Sequence, residues 1–206
     1  MITTNISDTS QLIEELQNKI SGEVKFDELT RLLYSTDASI YQMTPIGVVI
    51  PKNTDDVSAT IEIAHKNSIP ILPRGGGTSL AGQAVGNAIV IDFSKYMREI
   101  IEINTEEKWV RTQPGIVLDE LNRQIKKYNL MFTPDPSTSN RGNVGGAIGN
   151  NSCGAHSIIW GKTSDNIIDI QAILSNGEHA KFGPISEKEF NDFSMKESLE
   201  GKIYET

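Results

Sequence analysis

The sequence predicts an α+β protein built from two α/β subdomains, and three observations lead to this prediction. Between residues 46 and 93, short apolar runs alternate with a helical pattern, as in strand–helix–strand units. A run of three glycines at 75–77 directly follows one of the apolar runs. Around 99–113 and 167–182, paired segments of alternating apolar and polar residues indicate β-hairpins.

The first subdomain is predicted over residues 42–95, after an N-terminal helical lead over 1–41. In the lead, residues 9–20 have helical apolar spacing and 26–33 suggest a second short helix, whereas the irregular segment 34–41 is expected to help docking. The subdomain is predicted to form a small, mainly parallel sheet. Its predicted elements are a strand at 46–50, a helix at 55–66 capped by Thr54, and strands at 69–72 and 88–93.

The second subdomain is predicted over residues 96–206, with a larger antiparallel sheet spanning 96–185. Asn176-Gly177 is typical of a tight hairpin turn, and from Ser186 the composition becomes polar and helical. Pro114-Gly115 is expected only to punctuate the chain. The predicted elements are strands at 99–103, 109–113, 130–132, 167–174 and 179–182, and a helix at 116–127.

The run Gly75-Gly-Gly77 predicts an anion-binding loop. Consecutive glycines are costly in conformational entropy, and close approach of backbone amides to an anion is a good reason for them. Thr78 and Ser79 add hydroxyl donors, and Arg74 adds positive charge. A flexible surface loop is the alternative. A Walker loop is disfavoured because no Lys follows, and the G-x-G-x-x-G fingerprint is disfavoured because Leu80 replaces its third glycine.

A second segment rich in glycine and asparagine runs from Pro134 to His156. Pro134 and Pro136 stiffen its start. The glycines and asparagines between 142 and 151 permit close backbone approach to a flat or phosphorylated group, and their amides can donate and accept hydrogen bonds. A glycine-rich turn between strands is the alternative.

The two segments together resemble FAD-linked oxidases of the p-cresol methylhydroxylase and vanillyl-alcohol oxidase type. The run Pro73-Arg-Gly-Gly-Gly-Thr-Ser-Leu-Ala-Gly82 resembles their pyrophosphate loop, and Pro134–His156 resembles their second flavin-binding segment, continued by Trp160-Gly-Lys-Thr163. The resemblance lies within the branch that holds D-lactate and glycolate dehydrogenases. It implies the PCMH-type FAD-binding fold, with FAD in the crevice between the two subdomains.

The resemblance also implies which residues contact FAD. In the first segment they are Pro73, Arg74, Gly75, Gly76, Gly77, Thr78, Ser79, Gly82 and Gln83. In the second segment they are Pro134, Asp135, Ser137, Thr138, Asn143, Gly145, Gly146, Asn150, Ser152, Cys153, Gly154, Ala155, Trp160 and Gly161. Some relatives attach FAD through a His of the first loop, and Thr78 stands at that position, so non-covalent FAD is expected. No catalytic residue and no metal ligand is assigned.

The function implied by the resemblance is oxidation of a CH–OH group, with a D-2-hydroxy acid of the lactate or glycolate type as substrate and a downstream iron–sulfur centre or quinone as acceptor. The resemblance covers residues 30–185 and indicates the amino-terminal part of a longer protein. The segment that closes the second subdomain, which is therefore expected to be incomplete, and the substrate domain have no counterpart here. An FAD-binding module without turnover, and a carbohydrate or aromatic-alcohol oxidase on the same fold, remain alternatives.

Composition narrows the functional classes. The 206 residues include 19 Lys and Arg against 27 Asp and Glu, a net charge of −8, which disfavours sequence-independent nucleic-acid binding. No apolar run is long enough for a membrane span, and no secretory signal is recognised at the start. With a single cysteine, no intrachain disulfide is possible, and a reducing cytoplasmic location is expected.

Four side chains need separate interpretation. Cys153 is expected to be a small, buried, inert residue rather than a flavin adduct or redox thiol. His156 could contact the cofactor or simply pack, and the sequence leaves both open. His65 is expected at an exposed helix end, and His179 is expected to face solvent from a strand.

Overall fold

A four-stranded sheet forms the centre of the first half of the chain in a computed structural model. The structure describes residues 6–205, and side chains from residue 9 onward. The strand order is β1-β2-β4-β3, with β1 Glu23–Lys25, β2 Gly47–Ile50, β3 Ile71–Arg74 and β4 Ile89–Asp92. The last three strands are parallel and only the edge strand β1 is antiparallel. This pairing confirms the small, mainly parallel sheet, and every residue of its β2 and β4 is buried.

Two helices, α1 (Ile6–Lys19) and α3 (Thr54–Lys66), pack together on this sheet. Leu12 and Leu16 of α1 share an apolar cluster with Ile63 of α3, as the helical spacing predicts. The predicted cap of α3 was wrong by one residue. Asn53 is the N-cap, because its side-chain oxygen accepts a hydrogen bond from the Asp56 amide at 2.9 Å.

The N-terminal lead contributes the edge strand β1 to the first sheet. It also contains a short helix, α2 (Glu28–Leu33). Glu23 of β1 forms ion pairs with Lys25 and Lys95 and accepts a hydrogen bond from Tyr96 at 2.7 Å. The domain boundary at residue 41 stays a prediction. Residues 1–5 of the lead, and Thr206 at the other end, lie outside the described residues.

The second half contains two hairpins and a helix. They are β5 (Ile100–Asn104) with β6 (Trp109–Thr112), β7 (Ile170–Ile173) with β8 (His179–Phe182), and α4 (Leu118–Ile125), which continues as a 3-10 turn at Lys126–Tyr128. Both predicted hairpins and the predicted helix are confirmed. The single larger antiparallel sheet was wrong, since within residues 6–205 the hairpins form separate two-stranded sheets.

Side-chain bonds explain two departures from the expected sheet. Arg111 of β6 reaches Asp169 beside β7 at 3.1 Å, so an ion pair links the two hairpins, which are not paired through their backbones within residues 6–205. The predicted strand at 130–132 does not form, because the Asn122 side chain accepts from the Phe132 amide at 2.8 Å and donates to the Phe132 carbonyl at 3.1 Å. That pair occupies the backbone groups that a neighbouring strand would need.

The remaining helices are α5 (Val144–Gly149), α6 (Ser157–Trp160), α7 (Glu187–Ser194) and α8 (Leu199–Glu205). A capping box between Ser186 and Glu189 begins α7, in agreement with the helical composition from Ser186. Tyr204 of α8 stacks on Phe193 of α7 with 5.1 Å between ring centroids. Among residues 6–205, no helix is both long and apolar enough to cross a membrane.

Candidate functional site

The glycine loop leaves the first sheet at the carboxyl end of β3, the edge at which open α/β sheets bind ligands. Its start is fixed because the Phe93 amide donates to the Arg74 carbonyl at 3.1 Å. The next five amides, of residues 75–79, donate no hydrogen bond to any residue within 6–205. Gly77 has a φ of +62°, a region that favours glycine. The loop therefore offers consecutive amide donors, as an anion-binding nest does.

The Arg74 guanidinium is bonded to carbonyl oxygens of the protein. Its Nη1 donates to the Ala84 carbonyl at 2.7 Å and to the Tyr34 carbonyl at 3.3 Å, and its Nη2 donates to the Thr36 carbonyl at 2.8 Å. The guanidinium carbon also lies 5.2 Å from the centroid of the Tyr34 ring. A direct contact between Arg74 and the anion stays a prediction.

Three other residues of the first segment shape the return of the loop. The Ser79 hydroxyl donates to the Gln83 side-chain oxygen and accepts hydrogen bonds from two amides of the following turn. Gly82 has a φ of +78°, and a Cβ there would lie 2.8 Å from the Tyr41 ring. The Thr78 hydroxyl has no partner among the residues described, so it can reach a ligand.

The second glycine segment meets the first at Asn143. A Cβ added at Gly75 would lie 2.6 Å from Asn143 Oδ1, and one at Gly76 would lie 2.3 Å from the Arg141 carbonyl oxygen. Asn143 is only 3% exposed, and its Nδ2 donates to the Gly115 carbonyl. Its Oδ1 is buried and accepts no hydrogen bond within the described part of the chain. A buried acceptor without a donor, at the junction of the two segments, suits a ligand group that donates.

The Pro114-Gly115 turn supports this junction, which the sequence did not reveal. A Cβ at Gly115 would lie 1.9 Å from the Phe93 carbonyl oxygen, so the turn is pressed against the end of β4. The Gly145 amide donates to the Pro114 carbonyl at 2.9 Å, which holds α5 on the turn. The Pro-Gly pair was visible as a turn signal, but its partners are remote in sequence and only the fold brings them together.

One side of α5 is open. A Cβ added at Gly146 or at Gly149 would meet nothing within 4 Å. Asn150, which ends the helix, accepts a hydrogen bond from Gln83 Nε2 at 3.4 Å, and this contact ties α5 to the glycine loop. The open side, free of side chains, leaves room for a flat group next to the loop.

The chain after α5 returns to the beginning of the second segment. A Cβ at Gly154 would lie 1.7 Å from the Asp135 carbonyl oxygen, which also accepts from the Ala155 amide at 3.2 Å. His156 Nδ1 lies 3.3 Å from Asp135 Oδ2, an ion pair when the imidazole is protonated. Cys153 is exposed, so its predicted burial was wrong. Its neighbours in sequence, Ser152 and Gly154, are half-buried.

The other predicted contact residues lie around this arrangement. Trp160 is 57% exposed at the end of α6, and the following Gly161 has a φ of +78°. Within residues 6–205, neither hydrogen-bonds to the glycine loop. The exposed residues are Pro73 and Ser137, the half-buried ones are Thr138 and Ser152, and Pro134 is buried. Their contacts with a cofactor stay predictions.

Segment 34–38 contacts the glycine loop directly, beyond the docking role expected from the sequence. The Ala38 amide donates to the Gly77 carbonyl at 3.0 Å, and the Ala84 amide donates to the Asp37 carboxylate at 3.3 Å. Burial opposes ionisation of Asp37, but its hydrogen bonds with Ser39 and with the Ala84 amide lower the pKa of the carboxyl below its usual value. A carboxylate therefore lies close to the loop at neutral pH.

Tyr34 anchors that segment to the sheet. Its hydroxyl donates at 2.5 Å to Asp92, which is 6% exposed at the end of β4. Burial and this hydrogen bond raise the pKa of Tyr34, so the hydroxyl remains a neutral donor at physiological pH.

The three histidines differ in their distance along the chain from the two glycine segments and in the elements that carry them. His65 is exposed in the last turn of α3, and His179 is exposed on β8, where its Nε2 lies 3.0 Å from Ser58 Oγ. Both predictions are confirmed. Only His156 lies within the second glycine segment.

Residues 45–183 match the sequence model of the FAD binding domain family. The chain belongs to this family. This FAD binding domain is 37% identical over 198 residues to the D-2-hydroxyglutarate dehydrogenase of Escherichia coli K12, covering 94% of the chain and 19% of that protein. It is 35% identical over 188 residues to the glycolate oxidase subunit GlcD of Bacillus subtilis 168, covering 89% of the chain and 38% of that protein. The chain therefore spans about a fifth of the first relative and two fifths of the second.

The fold also matches the crystal structure of p-cresol methylhydroxylase with substrate bound. The TM-score is 0.74 at 16% identity, covering 87% of this chain and 36% of that one. The predicted resemblance, the PCMH-type fold and FAD as the cofactor are confirmed.

The residues of the site fit FAD on their own chemistry. The amides of 75–79 suit the two phosphates, and Cβ atoms at Gly75 and Gly76 would collide with the second segment. Asn143 Oδ1 suits a hydroxyl or an N–H of the cofactor, since phosphate oxygens cannot donate to it at neutral pH. The open side of α5 at Gly146 suits the flat ring.

Proposed function

We propose that the two glycine segments form one FAD site. In this proposal the amides of 75–79 bind the pyrophosphate, Asn143 accepts a hydrogen bond from the cofactor, and α5 with residues 150–155 contacts the isoalloxazine ring. The observation that carries the proposal is a set of five consecutive amides that find no acceptor within residues 6–205, beside a buried amide oxygen that finds no donor there. Attachment is proposed to be non-covalent, because Thr78 occupies the position at which the related oxidases that attach FAD carry a His.

We further propose that the complete protein oxidises a D-2-hydroxy acid. This rests on the relatives named as D-2-hydroxyglutarate dehydrogenase and as a glycolate oxidase subunit. Bound FAD supplies the two-electron acceptor for such an oxidation. The residues described here would bind and orient it: the loop amides offset the phosphate charge, and α5 holds one face of the ring away from water. No catalytic base is assigned to the chain.

The electron acceptor, the cell compartment and the domain limits belong to the same proposal. An iron–sulfur centre or a quinone would take the electrons, and a reducing cytoplasm suits the single cysteine. The proposed parts remain the lead at 1–41, the first subdomain at 42–95 and the second at 96–206.

A second candidate function is an FAD-binding module without turnover. It is favoured by the small share of a relative that the chain covers, since the chain spans 19% of the D-2-hydroxyglutarate dehydrogenase that it resembles. Of its histidines, His65 and His179 lie outside both glycine segments, so only His156 could act near the ring as a base.

The test has two stages. The purified chain is titrated with FAD, and binding is followed by quenching of flavin fluorescence and by the absorption band expected near ~450 nm. The complex is then mixed anaerobically with D-2-hydroxyglutarate, D-lactate and glycolate in turn. If the 206-residue chain binds FAD but no acid bleaches its flavin, the module without turnover is supported. The whole protein should then be bleached by one of the acids. Bleaching of the 206-residue chain would instead place the base within it and would make His156 the first residue to replace. Absence of FAD binding would refute the site.

A further inference from the structure

Two arginines lie beside the glycine loop in different surroundings. Arg74 ends β3, and within residues 6–205 its guanidinium donates to three carbonyl oxygens of the protein, at 2.7, 2.8 and 3.3 Å. Arg141 lies in the second segment with its side chain exposed. Within residues 6–205, the Arg141 guanidinium donates no hydrogen bond and forms no ion pair. The two cations are therefore not equally available to an anion.

Arg74 connects three stretches of chain around the base of the loop. Its Nη2 bonds to Thr36 on one side, and its Nη1 bonds to Ala84 on the other. A Cβ at Gly77 would lie 2.6 Å from Nη2, so the guanidinium also packs directly against the loop backbone. A planar fork with several donors suits such a bridge, whereas the point charge of a lysine cannot reproduce it.

The contacts next to Arg74 serve the same purpose. The Ala38 amide bonds to the Gly77 carbonyl at 3.0 Å, and the Ala84 amide bonds to Asp37 at 3.3 Å. Segment 34–38 and the turn at 84 are thus held on the loop from outside, while its inner side contacts Asn143. These contacts and the Arg74 bonds together join the surrounding chain to the loop that presents the amides of 75–79.

Arg141 is placed to act on charge instead. Its carbonyl oxygen would lie 2.3 Å from a Cβ at Gly76, which puts the Arg141 backbone in contact with the middle of the loop. Its side chain, exposed and without a partner within residues 6–205, thus starts beside the loop that presents the amides of 75–79. Arg141 belongs to the second segment in sequence, yet it was not among the residues that the resemblance assigned to FAD.

We infer that Arg74 positions the glycine loop, whereas Arg141 supplies the positive charge that faces the pyrophosphate. The inference about Arg141 rests on the proposed FAD site, while the inference about Arg74 also applies to the chain without cofactor. A charge contact between exposed groups weakens with salt, since the screening length falls from about 10 Å at 0.1 M to about 3 Å at 1 M. A positioning contact between neutral carbonyls and a guanidinium does not depend on salt in this way.

The experiment compares two variants that remove a positive charge, R141Q and R74Q, with R74K, which keeps the charge but not the planar fork of donors. R141Q, R74Q and R74K are titrated with FAD at low and high ionic strength, with K66Q as the control. Lys66 is in the last turn of α3, at the sheet edge opposite the loop. R141Q should weaken FAD binding about fivefold at ~0.05 M salt and much less at ~1 M. R74Q and R74K should weaken binding by similar factors at both salt concentrations, and K66Q should match the parent chain.

Hydrogen exchange of the chain without FAD supplies the second readout. Both Arg74 variants should lose protection at the amides of Ala38 and Ala84, and R141Q should not. A further variant, D37A, tests whether Asp37 acts on FAD by its charge or by its contact with the loop. Loss of a negative charge near an anion site would tighten FAD binding, whereas loss of a loop contact would weaken it. We expect weaker binding.

Several results would overturn the inference. Parent-like affinity and protection in R74K would show that Arg74 acts by charge. An unchanged affinity of R141Q at low salt would remove Arg141 from the site, and tighter binding by D37A would contradict the bridge. If the parent chain binds no FAD, the proposed site fails, but exchange at Ala38 and Ala84 still decides the role of Arg74. If R74Q does not fold, R74K and D37A carry the test.

Discussion

Replacing two adjacent glycines of α5 by alanine should have opposite effects on stability. Alanine in a helix is more favourable than glycine by about 0.5–1 kcal/mol, and both positions share this gain. At Gly146 the added Cβ meets nothing within 4 Å, so the whole gain is retained. At Gly145 the Cβ would lie 2.8 Å from the Pro114 Cβ and 3.2 Å from its carbonyl oxygen. Overpacking of this kind costs about 1–3 kcal/mol, which at its middle value is more than twice the helix gain.

The expected changes in melting temperature follow from these energies. For a chain of this size, 1 kcal/mol corresponds to about 2–4 °C. Without FAD, Gly146→Ala should therefore melt about 1–4 °C above the parent chain, whereas Gly145→Ala, with a net cost of up to about 2.5 kcal/mol, should melt below it by up to about 10 °C. Thermal unfolding followed by circular dichroism measures both.

Cofactor binding should separate the two variants in a different way. If the flavin ring lies on the open side of α5, a methyl group at Gly146 occupies its place, and FAD affinity should fall about tenfold, equivalent to ~1.4 kcal/mol. Stabilisation of the free chain combined with weaker FAD binding is the diagnostic pair. Gly146→Ala with unchanged FAD affinity would show that the ring lies elsewhere, and a lower melting temperature would show that α5 is not packed as described.

Other substitutions test the loop, its anchor and the edge strand. Gly77→Ala should destabilise the chain by about 1–2 kcal/mol and prevent FAD binding, because its φ of +62° is unfavourable for alanine; denaturant unfolding and flavin titration measure this. Tyr34→Phe should cost about 1–3 kcal/mol in the same unfolding assay, because buried Asp92 loses a donor; an unchanged midpoint would contradict this. For Glu23, the hydrogen bond with Lys95 comes first among the causes that lower its pKa to about 2. This depressed pKa stabilises the fold above the usual carboxyl range, and the stabilisation is lost as the pH falls toward 2. Glu23→Gln should therefore be less stable than the parent chain at about pH 7 and as stable as the parent near pH 2. A stability difference that persists near pH 2 would argue against the pairing.

Much of the fold could be predicted because the sequence patterns that encode it are local. The helical spacing of Leu12 and Leu16, the apolar runs of β2 and β4, and the turn at Asn176-Gly177 each encode an element within a few residues. Errors arose where a distant side chain intervened. Asn122 occupies the backbone of 130–132, and an ion pair joins the hairpins in place of a continuous sheet.

The candidate site shows the same division. The glycine loop and the second segment were both recognisable, because glycine runs and asparagine clusters are rare without a reason of backbone geometry. The orientation of side chains was not recognisable. Cys153 was expected inside and is exposed, and the bonds of Arg74 to the carbonyl oxygens of Thr36 and Ala84 could not be read from the sequence.

The sequence by itself thus determined the family, the cofactor and the two stretches of chain that could bind it. Tertiary structure alone decided that Gly75 and Gly76 pack against Asn143 and Arg141, that the Pro114-Gly115 turn carries α5, and that segment 34–38 lies on the glycine loop. The physical reason is the range of the interactions. Backbone conformation depends on each residue and its neighbours, whereas the partner of a guanidinium, an amide oxygen or a glycine Cα depends on which remote segments the packed sheet brings within a few ångströms.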